Sequence, residues 1–216
     1  MITTVLFDLD GLLIDSEVIY LRMAQEMVRP YGGNFTKENY VSRFSGRTLD
    51  VNIRDYIKEF GLPITVEEGM EWTARREMEI AADGIPLKAG ALKLIRYLKD
   101  NGIRMMLATS SLPDRAERIL KKDGVYDYFD GFVFGTEVTH SKPDPETFLL
   151  AAKKAGVEPS SCLVLEDSEN GIRAAHAGGF PVICVPDLKR PAPEVLRLAS
   201  FVVSSLDEAI PCIPRL

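Results

Sequence analysis

The sequence predicts an α/β fold, a mostly parallel sheet with helices on both faces, into which a purely α-helical segment is inserted. Two observations predict it. Beyond about residue 84, short apolar runs alternate with helical patterns of roughly ten to thirteen residues, as βαβ crossovers require. From Ser16 to Asp83, by contrast, every periodic stretch is helical and no convincing strand interrupts it. With 216 residues the chain can bury a sizeable core without staples, and 46 % hydrophobic against 27 % charged residues is ordinary globular composition.

The elements run in this order. Ile2 to Leu9 reads as a short buried strand around Val5-Leu6-Phe7. Then come the helical segments Glu17–Arg29, Lys37–Phe44, Leu49–Phe60 and Val66–Ala82, punctuated by the turns Pro30-Tyr31-Gly32-Gly33 and Gly61-Leu62-Pro63. After Asp83-Gly84-Ile85-Pro86 the alternation begins. Its strands are Ile103–Ala108, Gly131–Phe134, Ser161–Leu165, Pro181–Val185 and a last short one at Phe201–Val203. Its helices are Ala89–Asn101, Pro113–Lys122, Pro145–Ala155, Ser168–Ala177 and Pro191–Ala199, several opened by proline or a Ser/Asp cap, with Gly102 and Gly156 as stops. The expected division is a core of residues 1–15 and 84–216 and a helical cap of residues 16–83.

Composition excludes some functions. Twenty-six Lys+Arg against 32 Asp+Glu give a net charge of −6, which argues against nucleic-acid binding through a broad basic face and against adhesion to anionic membranes. Cys162, Cys184 and Cys212 are odd in number and lack metal-ligand spacing, so buried free thiols are expected. The first residues lack a basic region followed by an apolar run, and no stretch approaches 18 consecutive apolar residues; the expectation is a cytoplasmic protein.

Ligands of an open parallel sheet bind beyond the carboxyl ends of its strands, so the residues just past each strand are informative. Strand one leads into Asp8-Leu9-Asp10-Gly11, Ala108 into Thr109-Ser110-Ser111, Phe134 into Ser141-Lys142-Pro143-Asp144 further on, and Leu165 into Glu166-Asp167-Ser168. Singly these signals are weak: a threonine at a strand end is usually a turn residue, a lysine before proline a solvated side chain, and Asp-Ser a helix cap. Asp8 and Asp10 are stronger, because carboxylates at i and i+2 of a strand point to one side and raise each other's pKa unless a cation intervenes. No Gly-x-Gly-x-x-Gly comes after the first strand and no phosphate-loop lysine motif appears, so nucleotide-binding readings of this architecture fall.

Asp8-x-Asp10-Gly11, Thr109, Lys142-Pro143 and Glu166-Asp167-Ser168 with Gly171 resemble the four ordered motifs of the haloacid dehalogenase-like phosphohydrolases, a superfamily with a Rossmann-like core. The resemblance spans essentially the whole chain, and Asp15-Ser16-Glu17 and the cap resemble the β-phosphoglucomutase-like and phosphoglycolate phosphatase-like subgroup. It implies that Asp8 is a nucleophile forming an aspartyl-phosphate and Asp10 the general acid and base. It further implies that Gly11 permits the tight turn, that Thr109 bonds a phosphoryl oxygen, and that Lys142 supplies positive charge. The implied cofactor is Mg²⁺, held by Asp8, the Asp10 carbonyl, Glu166 and Asp167; hard oxygen ligands agree with that choice. Ser110 is placed beside the phosphate by position only. The subgroup implies a monomer acting on a small phosphorylated metabolite, with specificity set by the cap.

The candidate cap contacts are Tyr20, Gly46 and Arg47 in the Ser45–Thr48 turn, and Arg76. β-Phosphoglucomutases carry a histidine near the place of Tyr20 and a Lys-Asn-type pair where this chain has Leu112-Pro113; their cap arginine falls near Leu49, with Arg47 as its possible substitute, whereas Arg76 matches a cation on the later cap helix. Losing groups suited to a second sugar phosphate points to a phosphatase of a sugar or polyol phosphate. The alternative is a mutase working through a hexose bisphosphate, and outside catalysis an idle family member that only binds metabolites or proteins.

Overall fold

The computed structural model describes residues 1–216, all but the side chain of Asp83. Six strands, β1 (Thr4–Phe7), β2 (Arg104–Ala108), β3 (Gly131–Val133), β4 (Cys162–Glu166), β5 (Val182–Cys184) and β6 (Phe201–Val202), form one sheet among the described residues. Its order is β3-β2-β1-β4-β5-β6 and every pairing is parallel. β1 lies in the middle, with Thr4 opposite Arg104 on one side and Cys162 on the other, and all four of its residues are buried. Between β1 and β4 the direction of winding reverses, so a crevice opens there beyond the strand ends.

The chain divides into two compact units, Met1–Asp15 with Pro86–Leu216, and Ser16–Ile85. The second unit is helical: α1 (Ser16–Val28), α2 (Lys37–Arg43), α3 (Leu49–Phe60) and α4 (Val66–Ile80). It has its own apolar core, in which the Phe35, Phe44 and Tyr56 rings meet at 5.0–5.3 Å between centroids, with Val28, Tyr40 and Ile53 around them. Thr65 starts α4 with a capping box: its hydroxyl accepts from Glu68 N–H, and the Glu68 carboxylate accepts from Thr65 N–H.

In the first unit α5 (Ala91–Asp100), α6 (Pro113–Lys122), α7 (Glu146–Ala155), α8 (Glu169–Ala177) and α9 (Pro193–Leu196) alternate with the strands. Leu6, Met106, Val133, Val164 and Val182 of the sheet pack with Phe148 of α7 and Ile172 of α8 in one core cluster. α9 is shorter than the helix expected over Pro191–Ala199. Ala192 precedes a proline, which disfavours helical backbone, and it is extended at φ −61°, ψ 148°, so the helix begins only at Pro193. The 3₁₀ turns of Leu206–Arg215 escaped the sequence reading, since Pro211 and Pro214 mask their periodicity. All three cysteines are free and buried. Among the described residues, no helix is long and apolar enough to cross a membrane.

The helical insert leaves and rejoins the first unit at one place. Ile14 and Leu87 form an antiparallel bridge, Asp15 N–H donates to Pro86 O at 2.9 Å, and Lys88 N–H to Leu13 O at 2.9 Å.

Candidate active site

Asp8 comes directly after β1, and its N–H continues the sheet by donating to Leu165 O. The carboxyl group is buried, and Lys142 Nζ bonds its Oδ1 at 2.5 Å. The same ammonium donates to Glu166 Oε1 at 2.8 Å and to Ala108 O at 3.2 Å, while sitting 4.5 Å from the Phe148 ring centroid. Three acceptors thus take its three protons. Burial pushes the Asp8 carboxyl up to about 7; Lys142 opposes this, and Glu166 and Asp10 add to it. Desolvation works against the Lys142 charge, but Asp8 and Glu166 outweigh it and hold its pKa above the ordinary lysine value.

Glu166 ends β4 and is also fully buried. Its Oε2 accepts from the N–H groups of Asp167 and Ser168 and from the Ser168 hydroxyl, each at 2.9 Å. Ser168 caps α8 by accepting from Gly171 N–H at 3.0 Å. Glu166, expected among a cation's ligands, therefore has both oxygens occupied and ties the lysine to the helix start. Thr109, buried at the end of β2, donates its N–H to Val133 O, and its hydroxyl oxygen accepts from Ser111 N–H at 3.0 Å. The hydroxyl proton stays available for another acceptor. Ser110 has an exposed side chain.

Asp10 and Gly11 form the tight turn after β1, where Gly11 adopts φ 81°. Asp10 is gripped by residues that the sequence reading did not assign. Arg115 on the first turn of α6 donates to both carboxylate oxygens at 2.7 and 2.8 Å, and the Ser111 hydroxyl donates to Oδ2 at 2.7 Å. A signal existed, because an arginine in the first turn opposes the helix dipole and needs a compensating partner.

Asp167 has a different environment. Burial raises its carboxyl well above the ordinary range, and the neighbouring Glu166, Asp8 and Asp187 add to the rise. Asp187, beyond β5, was also missed, although it obeys the same strand-end rule; its Oδ1 pairs with Lys88, which lies 3.8 Å from Asp15. Asp8 and Glu166 share Lys142, Asp187 pairs with Lys88, and burial beside these carboxyl groups raises Asp167. A divalent cation would favour their charged forms. Among the described residues, no group of three or more His, Cys, Asp or Glu side chains is placed to hold a metal ion. Mg²⁺ is commonly held by one or two carboxylates, water and substrate phosphate, and the oxygens of Asp8, Asp167 and the Asp10 carbonyl fit that pattern.

The four cap candidates occupy three segments of the helical unit. Tyr20 lies on α1, half-buried against the cap core, while Gly46 and Arg47 lie in the turn between α2 and α3. Arg47 donates to Asp55 at 2.9 Å and to Arg43 O at 3.0 Å. Arg76 on α4 grips Glu26 of α1 at 2.6 and 3.1 Å and Glu79 at 2.7 Å. Both arginines are thus engaged by carboxylates of the cap itself.

Comparison with known proteins agrees with this geometry. The family model of the haloacid dehalogenase-like hydrolases matches residues 2–179. The chain is 35 % identical to a "Probable pseudouridine-5'-phosphatase" of Drosophila melanogaster, over 97 % of this chain and 92 % of the relative. It is 31 % identical to the fructose-1-phosphate phosphatase YqaB of Escherichia coli, over 83 % and 94 % respectively. The crystal structure of β-phosphoglucomutase from Clostridium difficile shares the fold, with a TM-score of 0.77 at 24 % identity over 100 % of this chain and 96 % of that one. An acidic strand end, its lysine partner and the family match converge: the chain belongs to the haloacid dehalogenase-like hydrolases and is a phosphohydrolase.

Proposed function

We propose that the chain hydrolyses the phosphate monoester of a small sugar or polyol, with Mg²⁺ as cofactor and a phosphoryl group carried transiently on Asp8. The observation that carries this reading is the buried Asp8 carboxylate at the end of the central strand, neutralised by a lysine that also binds Glu166. Relatives named as phosphatases of fructose 1-phosphate and of hexitols support the substrate class.

Asp8 Oδ2, the oxygen not bonded to Lys142, attacks phosphorus, and the bond to the ester oxygen breaks. Asp10 protonates the departing oxygen. It then takes a proton from the water that attacks the acyl phosphate, which releases inorganic phosphate and restores the Asp8 carboxylate. Arg115 and Ser111 orient Asp10, the Thr109 hydroxyl donates to a phosphoryl oxygen, and Lys142 offsets the charge gathering beside Asp8. Mg²⁺ would be held by Asp8, the Asp10 carbonyl and Asp167, and would supply the positive charge that lets a phosphate dianion approach a carboxylate. Tyr20, Gly46, Arg47 and Arg76 are the cap candidates for selecting the rest of the substrate; Arg47 and Arg76 would have to exchange Asp55, Glu26 and Glu79 for it. Pro113 and Leu112 offer no charge to a second phosphate, which favours water over a sugar as acceptor.

The test is phosphate release from fructose 1-phosphate, hexitol phosphates, pseudouridine 5'-phosphate and β-glucose 1-phosphate, with and without Mg²⁺. Release should need Mg²⁺ and fall to the blank in Asp8→Asn; turnover retained by clean Asp8→Asn protein removes Asp8 as nucleophile. Conversion of β-glucose 1-phosphate to glucose 6-phosphate, stimulated by glucose 1,6-bisphosphate and without free phosphate, would replace the hydrolase reading with a mutase.

A further inference from the structure

Beside Asp167 stands a carboxylate that the proposed chemistry leaves unused. The Asp187 side chain is only 4 % exposed. Its Oδ1 is taken by Lys88, but its Oδ2 is buried and accepts no hydrogen bond. Such an orphan is costly unless something outside the chain satisfies it. Its direction is fixed by Gly11: a methyl group on that glycine would lie 2.5 Å from Asp167 Oδ2 and 3.1 Å from Asp187 Oδ2. Both oxygens therefore converge on the space over the Gly11 Cα, which only a residue without Cβ leaves open.

Two convergent carboxylate oxygens, one of them orphaned, form a receptor for positive charge or for a water polarised by it. We infer that Asp187 is a member of the cation site, its free Oδ2 facing the hydration shell of the metal beside Asp167 while Lys88 grips its other oxygen. Asp187 acts here as a positioning residue, steering water and charge rather than touching the phosphoryl group. Lys88 is its counterweight: it fixes the carboxylate and cancels part of its field. This rests on the Mg²⁺ reading above.

The experiment is calorimetric titration of Mg²⁺ alone into the full chain, without substrate and at mildly alkaline pH, for the parent protein, Asp187→Asn, Lys88→Met and Asp167→Asn. Loss of an outer partner typically weakens metal affinity about ten- to a hundredfold. Asp187→Asn should therefore bind Mg²⁺ at least about tenfold more weakly, and Lys88→Met more tightly than the parent. Opposite signs from two halves of one ion pair are not what a merely structural pair gives, since breaking it from either side would then act alike. Unchanged affinity in Asp187→Asn, or unchanged or weaker binding in Lys88→Met, overturns the role of Asp187. If Asp167→Asn alone weakens binding, the cation reading survives that loss; if the parent protein takes up no Mg²⁺, both fall. Should Asp187→Asn fail to fold by circular dichroism, Lys88→Met decides by the same criterion.

Discussion

Glu166 carries four hydrogen bonds in a space that a single methyl group would fill. A Cβ on Gly171, on the first turn of α8, would overlap the Glu166 carboxyl carbon and both its oxygens. Glu166 in turn takes one proton of Lys142, so the lysine that neutralises Asp8 is positioned from α8 through two side chains. Gly171→Ala should force Glu166 off its donors. The expected result is a loss of about 1–3 kcal/mol in urea unfolding, the usual range for overpacking, together with a large fall in phosphate release as Lys142 loses one of its anchors. An equally stable and fully active variant would mean that the first turn of α8 yields without disturbing Glu166.

Between elements, the ion pair joining α1 and α4 carries an acid signature. Arg76, and to a lesser extent Arg22, hold the Glu26 carboxyl at about 2, well below 4.5. Because the folded value is depressed, the stabilisation is present above pH 4.5 and disappears as pH falls from there through about 2. Glu26→Gln should lower the thermal midpoint at neutral pH and flatten its fall across that acid window; a parallel profile, followed by circular dichroism, would count against the pair. At this scale the sequence was readable wherever periodicity or a cap announced an element. Ser168, expected as a cap, starts α8, and the apolar runs around Val5-Leu6-Phe7 and Leu163-Val164-Leu165 are strands. α9 was overextended because the Pro191-Ala192-Pro193 spacing was weighed as a helix opening rather than as a bar to helix at Ala192. Asp8 and Asp167 were legible because each lies just past a strand and Glu166 because it ends one, whereas Lys142, well beyond β3, was legible through its motif with Pro143. Arg115, 105 residues from Asp10, and Lys88, 99 residues from Asp187, were not, because only the closed tertiary structure supplies their partners.

For the molecule as a whole, the helical unit has its own core and the sheet has another, and the insert departs and returns across one hydrogen-bonded contact between Asp15 and Pro86. Excising Ser16–Ile85 and joining Asp15 to Pro86 through a two-glycine bridge should leave a sheet unit that unfolds cooperatively, read by circular dichroism and urea titration. An unfolded product would show that the helical unit is needed to complete the sheet's fold. The position of β1 carries a consequence for the order of biosynthesis. Of the six described strands it is made first, yet its partners begin at Arg104 and Cys162. The helical unit has all its residues once Ile85 has been made, whereas the segment bearing Asp8 waits for β2 on one side and, much longer, for β4 on the other. Contacts this distant in sequence form slowly and leave apolar strands exposed meanwhile. The nascent chain therefore passes through a stage in which a finished helical unit trails an unfinished catalytic strand, and it is in that interval, rather than in the folded protein, that Val5-Leu6-Phe7 needs shelter from other chains.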